Sequence, residues 1–338
     1  EKLADYVGVK HCVSCASGTD ALLIPLMAKN IGPGDAVITT PFTYIATAEV
    51  IALVGATPIF TDIYPETYNM NPEGIQKAVE EAKNKGLNPR AIIPVDLFGL
   101  PARYRMIEKI AMENNLFIIE DAAQGFGGEI RGKKAGSFGN AATTSFFPAK
   151  PLGCYGDGGA IFTNNDDLAH TIRGIVNHGM YVRYHHDVVG VNSRLDSVQA
   201  AILSVKLPLL DFYNERRKEA SILYSKELNQ NKNILTPIVK NDCQSHVFHQ
   251  YTLRVLSGNR DELSKFLNDH NIPHGIYYPI PLHKQKAYTD VNYNEENFKI
   301  SNMMSEQVIS LPMHSELDND QIKFICNKVN EFFKAQEN

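Results

Sequence analysis

Between residues 35 and 164, short apolar runs alternate with stretches whose apolar residues recur every three or four positions. The runs are 35–40 (DAVITT), 57–63 (TPIFTDI), 90–96 (RAIIPVD), 116–122 (LFIIEDA), 140–147 (NAATTSFF) and 159–164 (GAIFTN). They are almost continuously apolar, as strands covered on both faces are. Helical patterns lie between them at 43–54, 72–86 and 101–115. Thr43 reads as a cap for the first, and Pro101 as a first-turn residue of the third. This alternation predicts an α/β fold with a mostly parallel central sheet flanked by helices.

After residue 190 the texture changes. A long helical stretch places Leu195, Val198, Ile202, Val205 and Leu209 on one face, with Pro208 as a kink or break. A strand at 246–256, a helix at 260–272 and a closing amphipathic helix at 318–336 follow. The expected division is a large domain over 1–211 and a smaller α+β C-terminal domain over 212–338. The opening EKLADYVGVKH reads as the end of a helix, with Leu3, Tyr6 and Val7 on one face. No Met starts it, so the natural protein is expected to begin earlier.

Composition acts mainly by exclusion. No apolar run approaches the ~18 residues of a membrane-spanning helix, so no membrane partner is expected. A net charge of −5 argues against a nucleic-acid partner, which would need a basic face. Five cysteines (Cys12, Cys15, Cys154, Cys243 and Cys326) fit a reducing cytoplasm better than a disulfide framework. Cys12 and Cys15 have the spacing of a redox or metal pair, but no second pair stands at zinc-ribbon spacing and their segment reads as a strand. Lys133 and Lys134 read as a solvated turn. His246 and His249 lie in a predicted strand with no carboxylate or cysteine at metal spacing, and no metal site is expected.

Three segments carry chemistry. Asp121 ends an apolar strand, where open α/β sheets bind ligands, and a carboxylate there needs a cation or strong donors. Strand alternation sends Glu120 to the opposite face. Ser17-Gly18-Thr19 opens an apolar helix, and free N–H groups with hydroxyls at a helix start suit an anion. Lys150 follows the strand TTSFF and precedes Pro151, which disfavours a helical conformation there. Gly153, Gly156, Gly158 and Gly159 then allow tight turns and a close approach to a ligand. Partial desolvation would lower the lysine's pKa and free its amine to attack a carbonyl carbon. Pyridoxal phosphate asks for all three features: a phosphate cradle, an acid opposite a ring nitrogen and an amine for its aldehyde. A nicotinamide cofactor would need a glycine fingerprint that the chain lacks.

The segments SGTDAL, PFTYIATAEVIALVGATPIFTDI, IIEDAAQGFGGEIRGKKAGSFG, SFFPAKPLGCYGDGGAIFTN and GVNSRLDSVQAAIL resemble those of the DegT/DnrJ/EryC1/StrS sugar aminotransferases, over essentially the whole chain. The resemblance implies the fold-type I pyridoxal-phosphate transferase fold. It assigns Lys150 as the cofactor-bonding lysine and proton shuttle, and Asp121 as the partner of the ring nitrogen. Gln124 takes the ring hydroxyl, Gly18, Thr19 and Ser145 the phosphate, and Tyr44 stacks on the ring. Asn192 reaches the phosphate of a neighbouring subunit, in a homodimer that shares its active sites; the alternative for Asn192 is a cap on the long helix. A relative that removes a sugar hydroxyl carries histidine in place of this lysine, so Lys150 favours transamination.

The implied reaction moves an amino group from glutamate to a nucleotide-linked keto sugar. FFPAKPLGCYGDGG and RYHHDVVGVNSRLD most resemble enzymes of UDP-2-acetamido-2-deoxy-3-keto-glucuronate, which serve bacterial surface polysaccharides such as O-antigen. A 4-keto UDP- or dTDP-sugar is the alternative acceptor. A cofactor-bound sensor without turnover is the alternative of another class. Arg183, His185, His186 and Arg194 form a basic stretch suited to a diphosphate or a sugar carboxylate. Tyr277, Tyr278 and His283 resemble a loop of the second domain that meets substrate.

Overall fold

The computed structural model describes residues 1–238, 245–256, 258–291 and 293–336. Its central sheet has seven strands: β1 (His11–Cys15), β2 (Asp35–Thr39), β3 (Thr57–Phe60), β4 (Asn88–Ile92), β5 (Phe117–Asp121), β6 (Ala141–Ser145) and β7 (Gly159–Thr163). Their order is β1-β7-β6-β5-β4-β2-β3. All neighbouring pairs are parallel except the two made by β7. The expected mostly parallel sheet is therefore present, with one reversed strand. Every residue of β7 is buried and β5 is buried from Ile118 on, which is why both read as unbroken apolar runs.

The register gathers one edge. Gly159 pairs with both Cys15 and Ser145, and Asp121 pairs with Thr143. The last residues of β1 and β6 thus meet the first of β7, and the end of β5 lies beside β6. The chain leaves β1 through Ser17, whose Oγ accepts the Asp20 N–H at 3.0 Å and caps helix Gly18–Ala28.

Several boundaries move for local reasons. Helix Ala46–Leu53 begins after Ile45, and Thr43 pairs with the Thr47 hydroxyl instead of capping it. The helix expected from Pro101 begins at Tyr104, because the Ala102 N–H donates to buried Asp96 and holds the preceding residues outside it. The long helical stretch divides at Pro208 into Ser197–Lys206, a 3₁₀ turn at Leu207–Leu209 and Leu210–Leu228. Lys133–Lys134 closes a short hairpin with Glu129–Ile130, and Lys134 pairs with Asp211 at 3.2 Å.

A second antiparallel sheet joins β8 (Ile234–Leu235), β9 (Tyr251–Val255) and β10 (Val308–Leu311). Helices Arg260–Asp269 and Asn319–Gln336 cover it, with Tyr224, Leu253, Leu263, Ile309 and Val329 in the core. Helix Leu210–Leu228 enters both cores: Leu210 packs with Phe126 and Phe146, while Tyr224 and Leu228 pack on the second sheet. Beyond residue 278 the chain returns to the first sheet, where Leu282 and Phe298 pack on Phe60 and Met304 packs near Phe42.

The expected strand 246–256 is shorter, pairing only over β9. Its first part runs against Phe98 and Gly99 instead. Val247 N–H donates to Gly99 O at 3.0 Å and Gln250 N–H to Phe98 O at 3.3 Å. Gly99 sits at φ +105°, and a Cβ there would stand 2.8 Å from the His249 nitrogen, so glycine permits the approach.

Candidate active site

A cavity of about 430 Å³ opens at the gathered edge of the sheet. Gly18, Thr19, Tyr44, Asp121, Gln124, Ser145, Lys150, Tyr277 and Tyr278 all line it. Nine of the fifteen residues expected in the site therefore meet there, from six separate stretches of chain.

Asp121 is buried at the end of β5. Its Oδ2 accepts the Thr47 hydroxyl at 2.9 Å and its Oδ1 the Ala123 N–H at 3.2 Å. Burial pushes its carboxyl up, while Thr47, the Ala123 N–H and the charge of Lys150 pull it down. Glu120 faces away, as alternation requires, and accepts the N–H groups of Gly136 at 2.8 Å and Phe138 at 2.7 Å.

Lys150 stands in the loop between β6 and β7. Its N–H donates to Phe147 O at 2.8 Å, and Cys154 N–H donates to Phe146 O at 2.8 Å, closing the loop tightly. Burial lowers the pKa of its amine, and Asp121 opposes that shift. The two groups act on each other across one cavity.

Gly18 packs against Ser145: a Cβ at residue 18 would stand 2.5 Å from Ser145 Cβ and 2.9 Å from its Oγ. The capped helix start, the Ser145 hydroxyl and Thr19 therefore form a close-walled pocket for an anion. Gln124 Oε1 accepts Phe98 N–H at 2.7 Å and its Nε2 donates to the Tyr278 hydroxyl at 3.0 Å. Tyr44 presents 57% of its surface, as an aromatic side chain on an open cavity wall does.

Other expected residues do not reach this cavity within one chain. Asn192 is exposed and bridges Asn177; Asp196, not Asn192, stands at the cap position of helix Ser197–Lys206. Arg194 donates to Asn177 Oδ1 at 3.1 Å. Arg183, His185 and His186 are exposed on the turn and short hairpin after Met180. His283 is a correction: it is buried with its ring 4.4 Å from that of Phe298, outside the cavity wall. The 3₁₀ turn Leu282–Lys284 turns it into the aromatic core instead.

Thr47, His249 and Gln250 also line the cavity; the sequence marks neither Thr47 nor Gln250, and marks His249 only as a strand residue outside any metal site. Thr47 lies one helical turn beyond Thr43 and carried only the general signal of a hydroxyl near a helix start. His249 was read within a strand, and the left-handed backbone at Phe248 (φ +43°) that ends the strand pattern has no local marker. Cys12 and Cys15 are free and alternate along β1, and burial pushes the Cys12 thiol up to about 12, so neither serves as a ready thiolate. Cys243 lies outside the described residues. Among the described residues no group of three or more His, Cys, Asp or Glu side chains is arranged to hold a metal, and no helix is long and apolar enough to cross a membrane.

The chain is 47% identical to a UDP-2-acetamido-2-deoxy-3-oxo-D-glucuronate aminotransferase of Pseudomonas aeruginosa, over 96% of this chain and 87% of that one. It is 44% identical to a pleiotropic regulatory protein of Geobacillus stearothermophilus, over 98% and 87%. The structure of S. venezuelae DesV in complex with a ketimine intermediate superposes with a TM-score of 0.92, at 35% identity, covering 98% of this chain and 87% of that one. The model of the DegT/DnrJ/EryC1/StrS aminotransferase family matches residues 1–330, and the chain belongs to that family.

Proposed function

We propose that this chain is a pyridoxal-phosphate-dependent aminotransferase that moves an amino group from glutamate to a nucleotide-linked keto sugar. The Lys150 amine and the Asp121 carboxylate carry this reading: they face one cavity and perturb each other's protonation. The donor set suits the cofactor. A glycine whose added Cβ would strike Ser145 leaves room for a phosphate, and a buried carboxylate held by two donors suits a ring cation.

When bound, the cofactor would supply an aldehyde to carry the amino group and a ring to accept electron density. Gly18, Thr19 and Ser145 would hold its phosphate by N–H and hydroxyl donors. Asp121 would keep the ring nitrogen protonated, its own charge favoured by Thr47 and the Ala123 N–H. Gln124, fixed by Phe98 and Tyr278, would orient the ring edge, and Tyr44 would cover one face. Lys150 Nζ, whose pKa burial lowers, would hold and move the substrate α-proton.

The acceptor we infer is a UDP-linked 3-keto hexosamine uronate, the substrate named for the Pseudomonas relative. Two copies of the chain would share their active sites. Asn192 and the basic residues around Arg183 and Arg194 lie away from their own cavity, which suits delivery to a partner's. The regulatory name of the Geobacillus relative favours the sensor as a second reading. One experiment separates them. Glutamate added to the cofactor-loaded protein should remove its visible absorbance band and release 2-oxoglutarate, and Lys150→Ala should do neither. Persistence of that conversion in the variant would refute the assignment of Lys150; its absence in the wild type would favour the sensor.

A further inference from the structure

Ten buried side-chain nitrogen and oxygen atoms among the described residues have no hydrogen-bond partner, and six belong to Asn214, Arg217, His249 and Gln250. Asn214 and Arg217 are three apart on helix Leu210–Leu228 and so neighbours on its surface. His249 and Gln250 are in the cavity wall. Burial first, and then the charges of Lys150 and Arg217, push the His249 imidazole well below its usual range, so it is held neutral. Arg217 Nε and Nη1 are buried with no hydrogen-bond partner among the described residues, and burial lowers the pKa of the guanidinium. A cation buried without a counter-ion costs stability.

We propose that His249 receives a substrate carboxylate at the cavity wall, with Arg217 behind it as the counter-charge. The neutral imidazole donates one directed hydrogen bond; Arg217 is a positioning residue that supplies the positive field and completes its own pairing only when the anion is bound. This rests on the aminotransferase reading above. Two carboxylates could use the site in turn: the side-chain carboxylate of the amino donor and the uronate carboxylate of the sugar.

The test compares matched pairs on the holoenzyme. One arm measures kcat/KM of the glutamate half-reaction against that of alanine, which lacks the second carboxylate. The other measures a UDP-3-keto hexosamine uronate against the same sugar with a neutral hydroxymethyl group. In Arg217→Gln and His249→Asn the preference for the charged member should fall on the order of ten- to a hundredfold in at least one arm, and that arm identifies the carboxylate. Arg217→Lys, which keeps the charge, should recover part of it. Glutarate should raise the melting temperature of the wild-type holoenzyme and lose that effect in Arg217→Gln when the donor arm responds. Arg217→Met should melt at or above the wild-type temperature, since it removes an unpaired buried charge. Preferences that stay within about threefold in both arms, or an Arg217→Met variant that melts several degrees lower, would overturn the proposal. A wild-type protein that reacts with no amino donor would instead refute the aminotransferase reading itself.

Discussion

At the scale of single residues, the site is a set of compromises between burial and charge. Lys150 is kept uncharged more easily by burial and charged more easily by Asp121, so its pKa is lowered but not without restraint. Gly18 stands where an added methyl group has no room. In Gly18→Ala the new methyl would meet Ser145 at its Cβ, and either the helix start or the end of β6 must shift. Such overpacking costs about 1–3 kcal/mol. Titration of the apo form with pyridoxal phosphate should therefore show affinity reduced on the order of ten- to a hundredfold, alongside a melting temperature of the unliganded protein lowered by several degrees. Unchanged affinity would remove Gly18 from the phosphate pocket.

A second acid cluster lies beneath the site and leads to a pH prediction. Asp96 Oδ1 accepts the Tyr104 hydroxyl at 2.6 Å and the Ala102 N–H at 2.9 Å, while its Oδ2 is unpartnered. Burial pushes the Asp96 carboxyl up to about 7, and Glu120, close by, is also raised. In the unfolded chain Asp96 titrates near ~3.9. Between these values the native state binds the extra proton, so unfolding free energy falls as pH rises. The stabilisation is complete below about pH 4 and lost by about pH 7. Asp96→Asn keeps the acceptor for Tyr104 and Ala102 and cannot lose a proton. Its melting temperature should fall less than that of the wild type between pH 5 and 8, by at most a few kcal/mol of relative stability. Parallel slopes for the two proteins would show that Asp96 carries no such proton.

At the scale of elements, what could be read in the sequence depended on whether the deciding force was local. β5 and β7 are buried on both faces, so their composition alone marks them. The direction of β7 was not legible, because a Gly-rich loop of thirteen residues can return a strand either way and the choice is made by pairing with β1. Lys150, Asp121 and Gly18 stood out because each breaks the expected pattern of its own segment. Thr47 and His249 break no local pattern. They reach the cavity through tertiary contacts, Thr47 through Asp121 and His249 through the approach of its backbone to Gly99. His283 failed in the opposite sense: its loop resembled a substrate loop, yet the aromatic ring of Phe298 claims it.

At the scale of the whole molecule, the single chain leaves apolar side chains exposed on one helix and its neighbouring loops. Val198 and Val205 on helix Ser197–Lys206 are 69% and 72% exposed, and Phe212 beyond the Pro208 turn is 60% exposed. Val189 and Tyr155, at 86% and 76%, continue the apolar surface in neighbouring loops. These residues share chain segments with Asn192 and Arg194, so the surface that would seat a second copy is also the one that would carry polar groups towards its cavity. Replacing Val205 by Asp puts a charge on this face without touching the cavity of its own subunit. A buried unpaired carboxylate costs several kcal/mol, enough to separate a modest interface. Light scattering should show Val205→Asp at half the wild-type mass. If the two subunits complete each other's phosphate site, the separated form should also bind pyridoxal phosphate more weakly, although Lys150 and Asp121 are intact. Dissociation with full cofactor affinity would mean that each subunit holds the phosphate by itself, and Asn192 would lose its proposed role; an unchanged mass would place the subunit contact on another face.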